Sequence, residues 1–149
     1  MDYIEYTVKV YTNGDKEWRL NGKLHREDGP AVDRAHGSKL WYLDGKRHRA
    51  DGPAIEWANG DKFWYLDGKR HRVDGPAVEY ADGEKSWHLN GNLHRADGPA
   101  IEYTDGSKSW YLNGKYMTES EHGAATKPVK ELTVAEIEAL LGYTVKVVK

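Results

Sequence analysis

The chain of 149 residues contains no cysteine, which excludes a disulfide framework, a thiolate-held metal and a thiol nucleophile. It has a single phenylalanine, and Leu, Ile, Val and Phe together number 26, about 17% of the chain. That scarcity of apolar side chains by itself points toward disorder. No apolar run approaches the roughly 18 residues of a membrane-spanning helix. The first twenty residues carry acidic side chains where a secretory leader would be apolar. Charge of one sign is missing too: 22 Lys and Arg stand against 24 Asp and Glu, a formal net charge of −2. A balanced chain lacks the basic excess of a general nucleic-acid or anionic-membrane binder. These absences lead to the expectation of a soluble, cytoplasmic protein with neither a membrane nor a long nucleic acid as partner. Against them stand six Trp and ten Tyr, side chains that bury roughly 150–250 Å² each and can build a thin core.

The aromatic residues are periodic. Trp18, Trp41, Trp64, Trp87 and Trp110 recur every 23 residues, as do Leu20, Leu43, Leu66, Leu89 and Leu112. Gly22, Gly45, Gly68, Gly91 and Gly114 keep the interval, each preceded by Asn or Asp. A block His-Arg-x-Asp-Gly-Pro-Ala begins at His25, His48, His71 and His94. A repeat array therefore spans 13–116. Each unit reads as β structure. Lys39–Leu43 alternates, with Trp41 and Leu43 on one face. Asp44-Gly45 is a two-residue hairpin turn in which both residues need positive φ. Pro53 interrupts the return strand, because proline cannot donate to a ladder. Ala54–Trp57 resumes it, with Ile55 and Trp57 on one face, and Asn59-Gly60 makes a second turn. The expected fold is mainly β: an elongated antiparallel array of hairpins whose Trp face is buried and whose other face is solvated.

The frame Trp41-x-x-Asp44-Gly45-Lys46-x-His48, followed by an aromatic residue and Asn59-Gly60, resembles a MORN repeat. The His-Arg-x-Asp-Gly-Pro-Ala block stands where that repeat has His-Gly-x-Gly, and it is similar to blocks in repeat proteins of bacteriophages. The resemblance implies stacked β-hairpins in an elongated twisted sheet and a phage-encoded protein acting in the host cytoplasm.

The ends differ from the array. Residues 1–12 read as an N-terminal strand or cap and 117–131 as a linker open to a helical turn. Residues 132–149 read as a helix–strand cap or oligomerisation segment. Thr133-Val134-Ala135-Glu136 matches a capping box, with Leu132 and Ile137 placed for a hydrophobic staple, and Gly142 stops a helix over Val134–Leu141. Tyr143–Val147 repeats Tyr6–Val10 letter for letter. The two strands either cap the array or pair between chains and close a homo-oligomer.

No nucleophile elbow, phosphate loop or zinc-protease pattern occurs, and active sites are single whereas the His–Asp pairs here recur with every repeat. The expectation is a non-enzymatic binding protein without cofactor or metal. Its candidate ligand-binding residues are Arg26, His48, Arg49, His71, Arg72, His94 and Arg95, with Tyr42, Tyr65 and His88 beside them. Arginine forks bind phosphate bidentately and aromatic faces stack bases, so this set suits a small anionic, nucleotide-like ligand. By analogy with small phage proteins that trap host immune signals, the protein would sequester such a molecule. The other expectation is a scaffold or inhibitor that docks a host protein on a sheet face or edge. Arg19, Arg34, His36, His88 and Asn92 break their columns, through drift of edge repeats or for a ligand.

Overall fold

The computed structural model describes residues 5–127, 133–142 and 144. Leu132, the N-terminal member of the expected staple, and the strand expected over Tyr143–Val147, apart from Thr144, lie outside the described residues.

Each repeat makes two hairpins of different kinds. The first joins Ile55–Glu56 to Lys62–Phe63, with Ile55 opposite Phe63 and Glu56 opposite Lys62. Its loop is Ala58-Asn59-Gly60, closed by the Trp57 N–H on Asp61 O at 2.9 Å and the Gly60 N–H on Trp57 O at 2.9 Å. Only Gly60 takes positive φ, +98°, as in a type I turn followed by a left-handed residue. The second hairpin joins Tyr42–Leu43 to Lys46–Arg47. Asp44 and Gly45, at φ 49° and 79°, both occupy the left-handed region there, as the sequence predicts. The same pair of angles recurs at Asn21-Gly22, Asp67-Gly68, Asn90-Gly91 and Asn113-Gly114.

The first hairpins of successive repeats pair edge to edge into one antiparallel sheet of 12 strands, which begins at Thr7–Val10 and ends at Lys115–Met117. Every neighbouring pair is antiparallel, a plain meander. The second hairpins of the inner repeats stand off this sheet as two-stranded units. They are stitched to one another by backbone bonds such as the Arg49 N–H to Tyr65 O, 3.1 Å, and the Gly68 N–H to Arg47 O, 2.9 Å.

The continuous strand expected over Lys39–Leu43 is broken at Trp41. There the Trp41 N–H turns to Ala54 O at 2.8 Å and Trp41 O accepts from the His48 N–H at 3.2 Å. The chain thus leaves the large sheet for the small hairpin at each inner Trp. This crossing also changes the core. Ala31, Ala54, Ala77 and Ala100 are fully buried beside Val32, Ile55 and Val78, with Leu40 and Phe63. The expected alternation at Ala54–Trp57 therefore fails: Ala54 and Ile55 are both inside, and Trp57 is 41% exposed. The Ala column lies at the crossing from sheet to small hairpin, where each Ala O accepts a Trp N–H at 2.8 Å and the methyl group is fully buried. The repeated Trp residues are half-buried and roof this narrow core instead of forming it.

Both ends depart from the interior pattern. At the start, Glu17 takes the position of Leu40 and is bonded by Arg19 at 3.0 Å, with Arg34 at 3.5 Å. Arg34 also holds Asp15 at 3.1 Å. Arg19 and Arg34 thus break their columns as one ion-paired cluster. At the other end, the segment 117–127 contains the helix α1 (Glu119–Thr126), opened by a capping box of Thr118 and Glu121. It takes the place of a fifth Asp-Gly-Pro loop. Buried His122 pins it, donating from Nε2 to Arg95 O at 2.6 Å. The helix α2 (Val134–Leu141) has the expected box, Thr133 with Glu136, and Gly142 at φ 73° as its C-cap. No helix among the described residues is long and apolar enough to cross a membrane.

Candidate functional site

The Asp-Gly-Pro loops of successive repeats line up on one side of the small hairpins, and each is organised by its arginine. Arg49 Nε donates to Asp51 Oδ1 at 2.9 Å, and Nη1 donates to Pro53 O at 3.2 Å and Glu56 Oε1 at 2.9 Å. Its guanidinium carbon lies 4.0 Å from the centre of the Trp41 ring. On the other face, a Cβ built on Gly52 would stand 2.9 Å from that carbon. The cation is thus held between an indole and a bare glycine. Arg72 on Trp64 and Arg95 on Trp87 reproduce the arrangement at 4.1 and 4.0 Å, with Glu79 and Glu102 as the second carboxylates. Arg26 stacks on Trp18 at 4.1 Å and pairs with Asp28. The residue seven beyond it is the shorter Asp33, and no second carboxylate bond is made there. Hydrogen bonds and charge from these arginines hold the Asp28, Asp51 and Asp74 carboxyls below the usual range.

The histidines of the same blocks bind repeat to repeat. Nδ1 of His25, His48, His71 and His94 accepts the backbone N–H of Asp44, Asp67, Asn90 and Asn113, at 3.0, 3.2, 3.1 and 3.0 Å. The same Nδ1 atoms stand 3.0, 3.0 and 3.1 Å from Oδ1 of Asp44, Asp67 and Asn90, and each imidazole clamps the left-handed turn of the next repeat. The opposite end of each repeat has its own clamp. Ala35, Ala58 and Ala81 donate their N–H groups to Asp15 Oδ1, Ser38 Oγ and Asp61 Oδ1, at 2.8, 3.0 and 2.8 Å. His36 bonds Ser38 Oγ at 2.9 Å, which accounts for its place in a turn column.

Between consecutive loops lie three equivalent grooves of about 660, 560 and 630 Å³ in chain order. One wall is an Asp-Gly-Pro loop; the other is the next repeat's Trp and Leu with its His-Arg pair. Arg26, His48, Arg49, His71, Arg72, His94 and Arg95 are gathered along this row. Tyr42, Tyr65 and His88 are not. Tyr65 and His88 are 9% and 6% exposed, and half-buried Tyr42 packs on the core cluster. The break at Trp turns the following residue inward, which corrects the expected contact role of Tyr65 and His88, while Tyr42 lies half-buried beside the row. His88 is a polar substitution inside the core: its Nε2 bonds Ser86 Oγ at 3.0 Å, and Nδ1 is buried without a protein partner. Burial, with the nearby Arg70 charge, pushes its pKa down to about 4.

The guanidiniums are committed to the fold. In the second groove Arg49 and Arg72 face Asp51 and Asp74, and in the third Arg72 and Arg95 face Asp74 and Asp97. The first adds Glu27 to Arg26, Arg49, Asp28 and Asp51. The sequence reading overlooked the groove walls Leu43, Leu66 and Leu89 and the glycine floor. The spacing Arg-x-Asp-Gly was the available signal, since a residue without Cβ three positions after an arginine admits a flat side chain against the backbone. The molecule is thus an array of β-hairpin repeats with a periodic row of grooves whose guanidiniums are matched or outnumbered by carboxylates. No protein-family model matches the chain, and no curated protein is significantly similar to it.

Proposed function

We propose that the protein is a non-catalytic binding platform that docks a segment of a partner protein along its row of grooves. The observation that carries this reading is the threefold recurrence of one groove at the repeat interval. A periodic site suits a chain-like ligand with a repeating backbone better than a single small molecule. Balanced charge in the grooves disfavours a nucleic acid, whose phosphates need a basic track. A polypeptide suits such a row, since extended peptides dock in aromatic-lined grooves as a recurrent mode. Capture of a small nucleotide-like anion, the other reading, requires Arg49 and Arg72 to leave carboxylates at 2.9–3.0 Å.

An array of synthetic peptides probed with the purified full chain tests the platform. Enriched peptides that bind the wild type and lose the variant Val73→Asp support it; Val73 is 83% exposed on the rim, so the change spares the fold. An array without any enriched peptide overturns the reading. A retained anion of a few hundred daltons in native mass spectrometry, lost in Arg49→Lys, would replace it with the trapping function.

A further inference from the structure

Each repeat adds two strands to the large sheet and two to the stitched row of small hairpins, so equivalent points on successive repeats lie about 9.4–9.8 Å apart at the standard strand spacing. A polyproline II helix rises about 3.1 Å per residue with three residues per turn, and so repeats about every 9.3 Å. From this match, resting on the platform reading above, we infer that the grooves are a polyproline II site, which takes a proline-rich segment of a partner protein with one ligand turn in each groove.

Three features of the row fit that occupant. The accumulated mismatch across three grooves stays within about 1 Å, from the same two spacings. A globular or β-strand ligand has no such period: an extended strand places like-facing residues about every 6.6–6.8 Å. The walls have the needed chemistry. Trp41, Trp64 and Trp87 each border one groove beside the guanidinium stacked on them, and proline-rich segments dock in aromatic-lined grooves. The ligand is also preorganised, without an internal hydrogen-bond ladder to satisfy.

Charge complementarity sets the composition and direction of the ligand. The second and third grooves pair two arginines with two aspartates and suit uncharged turns. The rim residues Ala50, Val73 and Ala96 are small or apolar. Glu27 gives the first groove one carboxylate more than it has guanidiniums, so a Lys or Arg of the ligand belongs there. The occupant is a segment of about nine residues, one turn of three per groove, basic at one end and neutral and proline-rich along the rest.

The test uses the full chain and three nine-residue peptides in calorimetric titration: a proline-rich peptide with one terminal Arg, its composition-matched glycine-for-proline analogue, and a mixed-sequence peptide enriched from the array. The inference expects the proline-rich peptide to bind at least tenfold tighter than the glycine analogue. It also expects affinity to rise when the peptide grows from six to nine residues. Glu27→Gln should weaken only the Arg-bearing peptide, and Val73→Asp should weaken every length that reaches the second groove. If the mixed-sequence peptide binds as tightly as the proline-rich one, the polyproline assignment is overturned while the platform stands. If none of the three binds, both are overturned.

Discussion

The most discriminating perturbation of this fold is a methyl group at Gly52. Gly52 lies outside the left-handed region, so alanine meets no backbone strain, and the effect is steric alone. The new Cβ would stand 2.9, 3.1 and 3.2 Å from Arg49 Cζ, Nε and Nη2. A flexible side chain would ordinarily step aside, but Arg49 is backed by the Trp41 ring at 4.0 Å and fastened to Pro53 O and Glu56. Displacement forfeits the stacking on Trp41, worth about 0.5–2 kcal/mol, the partly exposed pair with Glu56, about 0.2–1 kcal/mol, and a carbonyl bond of about 0.5–1.5 kcal/mol. The loss of unfolded-state entropy on Gly→Ala returns about 0.4–1 kcal/mol. The net expectation is destabilisation by about 1–2 kcal/mol, roughly 2–4 °C in Tm per kcal/mol. The assay is a double-mutant cycle by urea denaturation of Gly52→Ala, Arg49→Ala and both together. With Arg49 removed, Gly52→Ala should become neutral or stabilising, giving a coupling of about 1 kcal/mol or more. Additive single effects would show that the arginine is not clamped against the glycine and would refute the reasoning.

Arg49→Ala alone should lower stability by about 1–3 kcal/mol from the same contacts, and Arg49→Lys, lacking the planar fork, should recover less than half; an unchanged denaturation midpoint would release the arginines from a structural role. His88 provides a pH signature. Its folded pKa of about 4 lies below the ordinary 6.5, so the unfolded chain takes up the proton first. The contribution is complete about one unit above pH 6.5, falls by about 2 kcal/mol between pH 7 and 5, and stops falling from this source near pH 4. His88→Tyr, the residue of its column, should remove that slope and leave the losses below pH 4 that come from Asp28, Asp51 and Asp74; a slope retained between pH 7 and 5 would refute the assignment. Asn90 at φ 51° predicts that Asn90→Ala costs about 1 kcal/mol while Asn90→Gly is nearly neutral, as read by thermal melts of the two variants. His71→Ala should speed amide exchange at Asn90, whose N–H it accepts at 3.1 Å, without affecting the corresponding amide of Asp44; equal exchange at both positions in the variant would refute the clamp.

The sequence by itself determined whatever rests on local chemistry. The 23-residue period marks the array. Asp44-Gly45 and its equivalents require left-handed backbone at both residues, and that alone specifies the hairpin. Thr133 and Glu136 specify the start of a helix through a bond that spans three residues. What only the tertiary structure decided lies in bonds between residues 19 or 20 apart and at the crossing of the two hairpins. Alternation along Lys39–Leu43 promised a Trp core, but the Trp41 N–H bonds Ala54 O, the strand breaks, and Tyr65 and His88 turn inward where a surface was expected. The His-Arg blocks read as ligand chemistry because arginine and histidine are exposed in a generic strand. In the folded array the imidazoles clamp the next repeat's turn and the guanidiniums lie between Trp and Gly, because those polar groups satisfy one another more closely than solvent would. The grooves arise from the same stacking: no single repeat contains one, and each appears only when two loops stand side by side.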